Sequence, residues 1–145
     1  MSVSVIDLEF DTKTTGGAPL GDIAASLVSV DELLRDLATL AASSVEFREI
    51  QVASITSRSP LKVTLNLLAI PEAAVTAFQE ICRAIILFRD EQSQTAIDAA
   101  LTRCAVFGEN GLSEPQARRI SAHITTLQNA EVRLKGVVVK LHEES

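Results

Sequence analysis

Three carboxylates, Asp7, Glu9 and Asp11, stand at every second position near the start of the chain. In an extended strand, side chains at i, i+2 and i+4 leave from one face. The spacing could therefore present a divalent-cation site or a set of catalytic acids. A solvated strand face, its charges matched by cations on neighbouring strands, fits the same pattern. Arg48 and Lys62 are the candidates for that matching. A catalytic metal site draws ligands from several elements, and no second ligand set is visible in the sequence.

Other residues invite chemistry more weakly. Thr14-Thr15-Gly16-Gly17 lies between a strand pattern and a helix pattern, where glycine-rich loops can cradle phosphate. The Lys-Ser/Thr pair of a P-loop and the three spaced glycines of a dinucleotide site are both missing, which leaves a flexible connection. Arg118, Arg119 and His123 gather near the start of the last helix pattern and could hold an anionic ligand or an acidic partner surface. A catalytic histidine needs an orienting carboxylate and a nucleophile. The sequence names neither for His123 or His142, so both read as surface or boundary residues. Cys82 and Cys104 sit in helix patterns without a nearby Cys or His. They read as small buried apolar side chains in a reducing compartment rather than a disulfide or redox pair.

Composition narrows the function classes. The 145 residues are 47% apolar and 22% charged, which is the balance of a folded soluble domain with a core of its own. Five Phe with no Tyr or Trp leave few aromatic anchors for binding hot spots or for stacking nucleobases. A net charge of −6 counts against nucleic acid as the main partner, because that affinity comes largely from neutralising phosphates. The N-terminal residues lack the basic start and apolar block of a secretory signal. The longest apolar run, near residues 84–88, is far short of the roughly 20 residues that span a bilayer. A cytoplasmic location without membrane partners is expected.

The elements that would position these residues follow from periodicity. Ile6, Leu8 and Phe10 alternate with the three acids, which predicts a strand over 3–10. Leu20, Ile23, Leu27, Val30, Leu34, Leu37 and Ala41 recur at spacings of three and four, which predicts an amphipathic helix over 19–42 packed within the chain. A hairpin follows over 47–70, turning at Ser57-Arg58-Ser59-Pro60. Arg58 at its tip reads as a solvated turn residue. Ile50, Val52 and Ile55 mark the buried face of its first strand, with a bulge between Ala53 and Ile55. Leu61, Val63, Leu65 and Leu67 mark that of its second. Residues 71–89 read as a helix apolar over so much of its circumference that other elements, or another subunit, must sandwich it. A shorter helix is expected over 94–106.

The last element is read two ways. Ser113-Glu114-Pro115-Gln116 is a strong helix start, with a capping residue and proline in the first turn. Ile120, Ile124, Leu127, Leu134, Val138 and Leu141 then hold a 4-3 spacing that predicts one helix over 114–142. Against it, Gly136 and Val137-Val138-Val139 favour a strand over 131–141 that returns to the N-terminal strand.

The expected fold is thus α+β and helix-rich, one domain over 1–145. A three-stranded sheet with a β-hairpin, or a four-stranded one if 131–141 is extended, is covered by about four helices. Linking the first strand to the hairpin through the helix at 19–42 allows a parallel first pairing. No catalytic, cofactor-binding or metal-binding residue is assigned. The surplus of apolar helix surface points to a non-enzymatic interaction or assembly module. It would form homo-oligomers, or bind a protein partner, through the face of Ile120, Ile124, Leu127, Leu134, Val138 and Leu141. The alternative is a small metal-dependent hydrolase, or an anion- or ligand-binding protein, built on Asp7, Glu9 and Asp11.

Overall fold

Alternation decides the first element. Ile6, Leu8 and Phe10 are buried while Asp7, Glu9 and Asp11 lie on the other side, and Ser2–Asp11 is a strand, β1. The structure is a computed structural model and describes residues 2–11, 20–41, 49–56, 61–68, 70, 72–87, 114–129 and 132–143. After β1 come the helix α1 (Leu20–Ala41) and the strands β2 (Glu49–Thr56) and β3 (Leu61–Leu68). The helices α2 (Glu72–Leu87) and α3 (Glu114–Asn129) and the strand β4 (Arg133–Glu143) complete the order. The class is α+β, with four strands and, among the described residues, three helices. The helix expected over 94–106 lies outside the described residues.

The sheet runs β2-β3-β1-β4 and every pairing in it is antiparallel. This corrects the parallel first pairing that a crossover through α1 allowed. The chain leaves β1, passes through α1 and lays down β2 away from β1, and β3 then folds back beside β1. The hairpin therefore supplies one central strand, β3, and one edge strand, β2. Thr56 ties its mouth: its hydroxyl accepts the Lys62 N–H at 3.2 Å and donates to the Lys62 carbonyl at 3.4 Å. A bulge is present one residue earlier than the Ala53–Ile55 step where it was expected, with the register shifting between Val52 and Ser54.

The end of the chain corrects the larger expectation. α3 stops at Asn129, and the rest returns as β4 against β1. Leu134, Val137 and Val139 stand opposite Phe10, Leu8 and Ile6 and share their face. Lys135 is an extra residue in β4, because the register slips between Glu9 and Phe10. A consecutive run of β-branched valines packs well on a pleated surface and is poor in a helix. That preference outweighed the helical spacing.

One face of the sheet carries the core. Ile6, Leu8, Phe10, Leu61, Val63, Leu65, Leu67 and Leu134 join the apolar stripes of all three helices in a single cluster. Each fully buried side chain of this size is worth about 2 kcal/mol against exposure. α2 is the sandwiched helix its wide stripe predicted: Ala74 to Ile85 bury eight residues, and the helix lies against α1, α3 and β4 of its own chain. α1 packs on α2 and α3 through Val30, Leu33, Leu34, Leu37 and Ala38. Among the described residues, no helix is long and apolar enough to cross a membrane.

Candidate functional site

The second face of the sheet carries the carboxylates. Across the strands it is laid out in rows. Asp7 stands between Thr64 of β3 and Val138 of β4, and Glu9 between Lys62 and Gly136. Asp11 lies opposite Arg133. The Thr64 hydroxyl donates to Asp7 Oδ1 at 2.8 Å, and Lys140 Nζ lies 3.4 Å from Asp7 Oδ2. Lys135 Nζ lies 3.7 Å from Asp11 Oδ1. Glu9 lies along Gly136, where an added β-carbon would be 3.5 Å from Glu9 Oε2 and 3.6 Å from its Cβ.

This arrangement sets what the acids can do. The Thr64 hydrogen bond holds the Asp7 carboxyl below its ordinary 3.8, against some desolvation, helped by Lys140 through a hydrogen bond and charge and by the charge of Lys62. A general acid at neutral pH needs the opposite shift. Successive same-face residues on a strand are about 7 Å apart along its axis, and Asp7 and Asp11 lean to different lysines. Among the described residues, no group of three or more His, Cys, Asp and Glu is placed to hold a metal ion. The face carries a central row of acids on β1 with lysines on the strands to either side. Its cations are Lys140 and Lys135 as well as Lys62, because β4 is a strand. Arg48 lies outside the described residues.

The basic cluster near the start of α3 meets carboxylates of its own chain. Arg119 Nη2 is 2.7 Å from Asp36 Oδ1 on α1, and His123 Nε2 is 3.2 Å from Asp36 Oδ2. His123 Nδ1 lies 3.5 Å from Glu32 Oε2. One aspartate, 17% exposed, thus takes up an arginine and a histidine from the facing helix. Asp36 is the orienting carboxylate that the sequence near His123 did not name. Both ring nitrogens face acids, Glu32 at Nδ1 and Asp36 at Nε2. Arg118 is exposed on the same helix.

Cys82 is fully buried in α2, and burial pushes its thiol well above the ordinary 9.0, which makes it a packing residue and not a nucleophile. Cys104, Arg58 and the Thr14-Thr15-Gly16-Gly17 loop lie outside the described residues.

The apolar face proposed for docking is redistributed. Ile120, Ile124 and Leu127 on α3 and Leu134 on β4 are all buried in the chain's own core. Val138 projects from the charged face and is 53% exposed. Leu141 belongs to β4, opposite Ser4, and its side chain lies outside the described residues. The six residues therefore do not form one helical seam.

Exposed large apolar side chains lie singly on α1 (Leu20 and Val28) and α2 (Leu87), and as a pair on β2, where the sequence placed them on the buried face. Val52 and Ile55 stand opposite Leu65 and Val63, so they point to the side of the sheet that elsewhere is core. They are nevertheless 56% and 51% exposed. Ile50 alone of the three expected there packs partly against the core. Alternation shows which face a residue takes; it does not show where the covering helices end. No protein-family model, no curated protein and no solved structure matches the chain.

Proposed function

We propose that this protein is a non-enzymatic protein-interaction or assembly module that self-associates. The observation that carries it is the exposure of Val52 and Ile55 on the core side of an edge strand. Large apolar side chains on a surface are ordinary when scattered singly. These two continue rows that Leu65 and Val63 begin in the core, so water meets the end of the hydrophobic layer there. Ile120, Ile124, Leu127 and Leu134 pack inward, while Val52 and Ile55 stay open to water at the sheet edge, which supports the sheet rather than α3 as the contact surface. Sedimentation equilibrium up to high micromolar concentration should give a concentration-dependent mass above the 15.5 kDa of one chain. A strict monomer throughout that range would overturn the proposal.

Asp7, Glu9 and Asp11 support a competing reading, a metal-dependent hydrolase or anion-binding protein, through one fact: they lie on a face left open to water. Against it, Asp7 and Asp11 each have a lysine of β4 within 4 Å. A ligand that binds only the native state raises the melting temperature. Millimolar Mg²⁺, Mn²⁺ or Ca²⁺ is expected to leave it unchanged, and a clear rise that Asp7→Asn abolishes would reverse the order of the two readings.

A further inference from the structure

β2 and β4 are the two edges of the sheet. An edge offers unpaired N–H and C=O groups to any strand that meets it, and proteins ordinarily guard it with lysine, proline, a bulge or a covering element. β4 is guarded by Lys135 and Lys140, both exposed, and by the bulge at Lys135. β2 is not. From Ile50 to Thr56 it contains no charged residue and no proline. Every residue from Gln51 to Thr56 is exposed, and among the described residues the guards of this strand are Glu49 at its start and the bulge at Ala53.

We infer that β2 is where a second copy of this chain docks, antiparallel and edge to edge about a two-fold axis, giving one sheet continuous across both copies. This rests on the self-association reading and names its surface. Charge selects the occupant. The chain carries −6, so two copies repel over most approaches. Of the four strands, β1 carries three carboxylates, β3 carries Lys62 and β4 carries lysines, while Ile50 to Thr56 of β2 is neutral. A strand laid antiparallel to its own copy meets the same patch reversed, so one surface is sufficient and no like charges oppose each other within it. With the axis between Ala53 and Ser54, Val52 lies beside Ile55 of the second copy and Ile55 beside its Val52, which extends the apolar layer across the junction.

The test has two parts. Val52→Lys with Ile55→Lys, both at exposed positions, should keep the circular dichroism of the parent and raise the dimer dissociation constant by about tenfold or more. Single substitutions Gln51→Cys, Ala53→Cys, Ser54→Cys and Val138→Cys are then oxidised, with the parent chain as baseline. Disulfide-linked dimer should peak at Ala53→Cys and Ser54→Cys, the positions beside the axis, and stay at baseline for Val138→Cys. A dimer by sedimentation that survives the lysines and cross-links only through Val138→Cys overturns the edge pairing and leaves self-association standing. A parent that is monomeric at every concentration overturns both.

Discussion

Two aspartates in this protein do the same thing in different surroundings. Asp7 accepts from Thr64 and faces Lys140, on a sheet face open to water. Asp36 faces Arg119 and His123 in the contact between α1 and α3, with less than half the exposure of Asp7. Asp7 joins strands that an antiparallel ladder on both sides of β1 and a buried face already hold together. Asp36 joins two helices whose polar flanks have no such ladder between them. Where the framework is redundant an ion pair is a local detail; where it is sparse the same pair fixes an angle between elements.

Replacing Asp36 should therefore have the larger consequence. Asp36→Ala leaves Arg119 and His123 beside each other without their shared acceptor, and hydrogen bonds to charged groups are worth about 1.5–3 kcal/mol. With Arg119 mostly in water, the expected loss is about 2 kcal/mol, read as a lower urea midpoint with an unchanged slope. His123→Ala in the Asp36→Ala background should then cost little more, because the two act as one unit. Full additivity of the two losses would show that the clasp is not a unit.

Asp7→Asn should cost less, under about 1 kcal/mol, since solvent screens a half-exposed pair. Its pH dependence carries the sharper information. The carboxyl is held below its ordinary 3.8 in the folded protein, so its contribution is complete above that value. It is lost as pH falls through the lower folded value, where both states become protonated. The stability gap between parent and Asp7→Asn should stay level from neutral pH to about pH 5 and close in stronger acid. A gap that widens on acidification would contradict the assigned direction.

The sequence carried the strands and helices whose periodicity is clean, and it carried the acidic strand face. What it hid has two physical sources. Leu134, Val138 and Leu141 continue the helical phase of Ile120, Ile124 and Leu127, which set one helix ahead of the strand over 131–141 that Gly136 and Val137-Val138-Val139 offered and that the fold adopts. The true pattern, Val132 and Leu134, then Val137 and Val139, is a period of two broken once by the extra Lys135. A single bulge erases the signature that would have revealed it. Misplacing β4 also removed Lys135 and Lys140 from among the partners of the acids. The second source is distance along the chain. Asp36 and His123 are 87 residues apart, and nothing local announces that they meet.

β1 lies in the middle of the sheet, yet the strands on either side of it arrive late. Val3 to Phe10 wait for β3, and Asp11 pairs with Arg133, near the far end of the chain. Contacts this remote in sequence slow folding, because the intervening chain must close before they reward it. During synthesis β1 therefore has one bare flank for as long as β4 is still to come. A bare strand is prone to join its twin on another nascent chain. Asp7, Glu9 and Asp11 all leave from one side of β1, so two such strands laid together would crowd six negative charges onto one surface. Like charges crowded in this way disfavour pairing between two copies of β1, and the lysines that offset them, Lys135 and Lys140, come only with β4.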